Sequence, residues 1–127
     1  MDTQALIQYQ FEQRKQLGTL ICLEMLLAIK KLGFSAAEIN NVPVFDQAEF
    51  SLTKDPYTAA ENLTGYWFDN NKQRIGEIQF NSDGSFYAEY DIVKPHPAKT
   101  QWFVVAMSAW GSEQAIKTEA KLLASLE

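Results

Sequence analysis

Apolar residues recur at spacings of three and four from Leu6 through Tyr9, Leu17, Leu20, Ile21, Met25, Ala28 and Ile29 to Leu32. Residues 4–32 contain no proline and one glycine, so the pattern predicts a long α-helix. Asp2 or Thr3 can cap its start, Lys30 and Lys31 suit the negative end of its dipole, and Gly33 can stop it. The two halves differ: residues 8–16 are largely polar, whereas residues 20–29 are apolar nearly all round. The second half is therefore expected to be covered on more than one side. Gly18 stands at the change and offers a bend.

Residues 34–63 carry the weakest pattern. Ser35-Ala36-Ala37-Glu38 reads as a capped helical turn and Asp55-Pro56-Tyr57 as a turn or helix start. Residues 42–45 and 49–53 read as short strands.

From Thr64 the period changes to two, and an aromatic-rich antiparallel meander is expected over residues 64–110. Tyr66-Trp67-Phe68 form its first strand. Gly76, Ile78 and Phe80 share one face of the next, with Glu77 and Gln79 on the other. Then Phe86, Ala88, Tyr90 and Ile92 alternate with Tyr87, Glu89 and Asp91. Asn81-Ser82-Asp83-Gly84 suits a type I turn with Gly84 left-handed, which fixes the register. Phe80 then faces Phe86, Ile78 faces Ala88, and Gly76 faces Tyr90, whose ring can cover the bare backbone. The even-numbered apolar face should meet the helix.

Lys94-Pro95-His96-Pro97-Ala98-Lys99 is a stiff connection. Beyond it a strand over residues 102–110 is apolar on both parities, with Trp102, Val104 and Ala106 on one side and Phe103, Val105 and Met107 on the other. Ile116, Ala120 and Leu123 have helical spacing and predict a short C-terminal helix. The expected architecture is one α+β domain over residues 1–127: a long N-terminal helix on an antiparallel meander of about four strands.

The 127-residue chain has 46% hydrophobic and 21% charged residues, enough apolar surface for an independent core. Sixteen acidic against eleven basic residues give a net charge of −5, which repels phosphate backbones and makes nucleic acid a poor partner. A basic protein surface matches better. The N-terminus has no signal-peptide pattern, the most apolar window is too short to span a bilayer and contains Glu24, and a single cysteine excludes an intrachain disulfide. A cytoplasmic protein with no membrane association is expected. Asn62-Leu63-Thr64 is a sequon without a route to glycosylation in that compartment.

Few residues carry chemistry. His96 is the only histidine, so no zinc site and no other metal site is expected, and no cofactor motif is present. His96 reads as a loop residue and Cys22 as a buried small hydrophobe. No catalytic residue is assigned. The register does set Glu77 opposite Glu89, with Asp91 two residues along, and like charges opposed across a ladder repel. A five-residue loop would put Trp67 beside Glu77 on the same odd-numbered face, with Phe103, Val105 and Met107 alongside. Of the three tryptophans, Trp67 or Trp110 is expected to be the exposed one, and a buried tryptophan should donate a hydrogen bond. The candidate binding residues are Trp67, Glu77, Glu89, Asp91 and Trp110.

The run Leu63-Thr64-Gly65-Tyr66-Trp67, then Gly76-Glu77-Ile78-Gln79-Phe80 and Asp83-Gly84-Ser85-Phe86, resembles the opening strands of lipocalin-like and other meander proteins. A complete calyx does not fit beside so much helix. A long helix followed by a meander is also similar to cystatin-like or NTF2-like architectures, in which a curved sheet wraps a helix. The reading is a non-enzymatic protein-binding module, for example immunity- or chaperone-like, with an acidic face for a basic partner. The alternative is a small-ligand or enzymatic pocket between helix and sheet, lined by Tyr90 and Trp102. A homodimer through the meander edge or the apolar half of the helix is a further possibility.

Overall fold

The computed structural model describes residues 2–31, 43–69, 71–95 and 102–126. Helix α1 (Thr3–Lys31) runs unbroken, and the Asp2 carboxylate caps it by accepting from the Ala5 backbone N–H at 2.7 Å. A short 3-10 turn (Phe45–Gln47) leads into β1 (Glu49–Lys54), β2 (Glu61–Phe68), β3 (Arg74–Phe80), β4 (Ser85–Pro95), β5 (Trp102–Ser112) and β6 (Ala115–Leu126). The six strands form one antiparallel sheet in the order β1-β2-β3-β4-β5-β6, each paired with its sequence neighbour. The α+β expectation and the meander hold. The Ser35–Glu38 turn and the Gly33 stop lie outside the described residues, as does His96.

The expected register of β3 and β4 is the observed one: Gly76 faces Tyr90, Glu77 faces Glu89, Ile78 faces Ala88 and Phe80 faces Phe86. Its hairpin closes as the residues dictate. Gly84 takes φ +92°, its N–H donates to Asn81 O at 3.2 Å, and Asn81 N–H donates to Ser85 O at 2.9 Å. Asp83 accepts from the Ser85 backbone at 2.8 Å and from its hydroxyl at 2.6 Å. Those bonds hold the Asp83 carboxyl below the ordinary carboxylate range. At Gly76 a Cβ would stand 2.6 Å from Glu89 O and 2.9 Å from the Tyr90 ring, so the tyrosine lies on bare backbone.

The sheet buries one face against α1. Ile21, Met25 and Ile29 of the helix are fully buried and join Ile78, Ala88, Tyr90, Met107 and Ala109 in one cluster. Each buried isoleucine or methionine among them contributes roughly 1.5–3 kcal/mol through removal from water. Phe45 is the second centre of the core: its ring stacks on Phe11 at 5.1 Å and meets Phe50 at 5.0 Å and Phe80 at 6.1 Å. Gly18 is buried against it, and a Cβ there would overlap the Phe45 ring. Glycine at this point serves the close approach of an aromatic ring.

Five expectations are corrected. The sheet has six strands, because β1 pairs in register with β2 from Glu49 against Tyr66 to Lys54 against Glu61, and β2 begins at Glu61. No C-terminal helix forms: β6 pairs with β5 along its length, and the burial of residues 115–120 alternates with period two. The helical spacing of Ile116 and Ala120 is overridden by long-range pairing, which supplies the backbone partners that a terminal helix would have to find alone. Phe45 lies in the 3-10 turn and not in a strand.

The fourth correction concerns Trp67. Phe68 opposes Arg74, and continuing that register would put Trp67 on the face of Ile75 and Glu77. A bulge between Trp67 and Phe68 inserts one residue, so Trp67 opposes Gly76 and turns into the core at 4% exposure. There its indole N–H donates to Val44 O at 2.8 Å and its ring meets Tyr90 edge-on at 5.7 Å. The fifth is Met107, which opposes Tyr90 and is fully buried on the inner face. Among the described residues no helix is long and apolar enough to cross a membrane.

Candidate functional site

The outer face of the sheet is built by the residues that alternate with the core. One row crosses all six strands in register: Glu49 on β1, Tyr66 on β2, Glu77 on β3, Glu89 on β4, Ser108 on β5 and Glu119 on β6. With about 4.8 Å between strands, the row is roughly 24 Å long and carries four carboxylates. The neighbouring row is Ser51, Thr64, Gln79, Tyr87, Trp110 and Lys117. Aromatic and hydroxyl groups thus flank the acids. Among the described residues no buried side-chain nitrogen or oxygen lacks a partner, and Thr64 meets Thr53 hydroxyl to hydroxyl at 2.9 Å.

The centre of the acidic row is the Glu77–Glu89 pair. Partial burial, then the Glu89 charge and a hydrogen bond between the two carboxyls, raise Glu77 above its ordinary value, with Arg74 opposing. Tyr87 donates its hydroxyl to Glu89 Oε2 at 3.1 Å and is within hydrogen-bonding reach of Ser108. Burial and the Glu89 charge raise Asp91 in the same direction. Among the described residues, like charge and partial burial therefore outweigh the Arg74 cation at the middle of this face. Arg74 shows how a cation fits beside it: its guanidinium lies over the Tyr66 ring at 5.1 Å, next to Glu77 in the row.

Of the residues expected at the site, Glu77, Glu89 and Asp91 share the outer face, and Trp110 joins them opposite Tyr87 at 36% exposure. Trp67 does not. The side chains of Phe103 and Val105 lie outside the described residues. The sequence reading missed Glu49, Tyr66, Tyr87, Ser108 and Glu119. Strand parity within β1 could have found Glu49, whereas Glu119 was hidden by the helical reading of its segment.

Other chemistry finds little support. Among the described residues no three metal-binding side chains come together. Cys22 is buried, with its thiol pushed up to about 12, first by desolvation and then by the Asp46 charge. Between the helix and the inner face, the described space is occupied by the rings of Phe11, Phe45, Phe50, Phe80, Trp67 and Tyr90. A shallow groove at the helix margin is lined by Thr19, Cys22, Leu26, Val44 and neighbouring residues. The chain matches no protein-family model, no curated protein and no solved structure.

Proposed function

We propose that this chain is a protein-binding module whose outer sheet face receives a basic segment of a partner protein. The observation that carries the reading is the row Glu49–Tyr66–Glu77–Glu89–Ser108–Glu119, in which the two central carboxylates are forced together at a cost in repulsion. A partner cation between Glu77 and Glu89 relieves that repulsion, so the face gains more from a bound lysine or arginine than separated carboxylates would. Tyr66, Tyr87 and Trp110 supply flat surfaces on which a guanidinium stacks. An α-helix with a basic residue at each turn repeats every 5.4 Å, close to the strand spacing, and suits a row that runs across the strands. The net charge of −5 steers such a partner in.

Trp110 is a built-in reporter, being the part-exposed tryptophan of this face among the described residues. Titration with a synthetic lysine- and arginine-bearing helical peptide is expected to shift Trp110 fluorescence in a salt-dependent manner. Glu77→Lys with Glu89→Lys should abolish the shift while leaving the far-ultraviolet spectrum unchanged. Equal binding by the doubly substituted protein rules out this face as the site.

A further inference from the structure

The sheet ends at β6, and the register fixes which of its backbone groups face the open side. Asn81 N–H donates to Ser85 O, so bonded pairs alternate from there along β3 and β4, and Ala88 opposes Ile78 without a bond. Ala88 therefore turns its N–H and C=O toward Ala109 of β5, and Ala109 in turn faces away from Thr118 of β6. Thr118 is left with its N–H and C=O on the open side, as are Ile116 and Ala120 two residues to either side. Among the described residues no backbone hydrogen bond reaches this stretch from outside the β5 ladder. Ile116 and Ala120 are only partly buried against the core. The other edge differs. Strand β1 has six residues against the twelve of β6 and carries Lys54 on the parity of its core-facing Phe50 and Leu52, an inward charge that discourages pairing. Strand β6 contains neither proline nor glycine.

We propose that β6 pairs antiparallel with β6 of a second copy of this chain, about a two-fold axis at Thr118, joining the two sheets edge to edge. Length and charge choose that centre. The regular part of β6 runs from Ala115, after the turn, to Leu122, where the pairing with β5 skips Leu123, and Thr118 stands at its middle. About this axis Thr118 meets its copy and Ile116 meets Ala120, each pair exchanging two N–H···O bonds and extending the inner face. Lys117 meets Glu119 on both sides of the axis, in the non-bonded pairs where opposed side chains stand closest. Other centres lose one advantage or the other. An axis at Lys117 or at Glu119 opposes that residue to its own copy, and one at Ala120 opposes Glu119 to Lys121 but runs onto Leu123 within three residues. The stretch from Glu113 to Lys121 holds two acids and two lysines, so two chains of net −5 meet through a neutral segment. The proposal goes beyond the basic-partner reading and does not rest on it, since the two share only the Glu119 end of the acidic row.

Sedimentation of the full chain over a concentration series tests it. The expected mass at the top of the series is twice 14.4 kDa. Thr118→Pro removes an N–H that the β5 ladder does not use, so the melting profile should stay that of the parent while association weakens by about 100-fold. Charge supplies a second, independent reading. Lys117→Glu leaves an acid at both positions and Glu119→Lys leaves a lysine at both, so each variant alone should associate about tenfold more weakly. Mixed in equal amounts, the two variants meet with opposite charges in both opposed pairs, and the mixture should dimerise as the parent does. No contact within one chain gives that rescue. A monomer at every concentration, a dimer indifferent to Thr118→Pro, or a mixture no tighter than its two components overturns the proposal.

Discussion

The two faces of the sheet are made by alternate residues of the same strands, yet they obey different rules. On the inner face every described position is apolar or glycine where β3 meets β4, and the rings of the core meet one another: Trp67 on Tyr90, Phe45 on Phe11, Phe50 and Phe80. On the outer face the same register opposes Glu77 and Glu89, and a pairing that stabilises one side of the ladder strains the other. Core packing fixes the register, and the acids inherit it. The repulsion persists because shifting by one residue would turn Ile78, Ala88 and Tyr90 out into water, at several times the energy of one like-charge pair.

That asymmetry orders the expected effects of substitution. Trp67→Ala removes the ring that fills the inner face beside Gly76 and abandons the bond to Val44 O. A loss of about 3–5 kcal/mol in urea denaturation is expected. A loss below about 1 kcal/mol would mean that Trp67 contributes no more than a surface residue does. Gly18→Ala sets overlap with Phe45, about 1–3 kcal/mol, against a helix-propensity gain of about 1 kcal/mol. The net outcome should be destabilising. A more stable variant would show that the Phe45 ring can retreat without loss.

Glu89→Gln is the smallest effect and has the opposite sign. The amide keeps an acceptor for Tyr87 and deletes the charge facing Glu77, which should add about 0.5 kcal/mol at neutral pH. Its pH dependence sharpens the comparison. Glu77 and Asp91 are raised in the fold above their ordinary values of 4.5 and 3.8, so the folded protein binds protons that the unfolded chain does not. Stability from these groups therefore rises as pH falls from neutral toward the ordinary carboxylate range. The advantage of Glu89→Gln should shrink over that same window, as measured by denaturation midpoints. Asp83 works in the other direction: its lowered value means that its contribution is lost as pH falls below the ordinary range. An advantage constant with pH would show that Glu77 and Glu89 do not interact.

The inner face was largely legible in the sequence because its signals are local. Gly84 fixed a turn, the turn fixed a register, and the parity of Ile78, Phe80, Phe86, Ala88 and Tyr90 agreed with it. The helix was readable from the spacing of Ile21, Met25 and Ile29. What failed depended on distant partners. The bulge that turns Trp67 inward leaves Ile75 of β3 unpaired, and the space over Gly76 together with the acceptor Val44 O explains it. The strand around Glu119 is composed of good helix formers and becomes a strand because β5 is there to pair with it. The acidic row was half visible: Glu77 and Glu89 sit in one hairpin, whereas Glu49 and Glu119 reach it only through the outer strands.

The sequential strand order has a kinetic consequence. Each hairpin closes over short stretches of chain and can form within microseconds, so the sheet assembles from neighbouring pieces in any order. The helix must wait for strands made well after it: α1 packs against both β5 and β6, about a hundred residues downstream. Until the final hairpin arrives, Ile21, Met25 and Ile29 have no complete surface to cover them. A chain stalled before β6 would hold a nearly finished sheet and a sticky, undocked helix, the kind of species that nascent-chain chaperones meet.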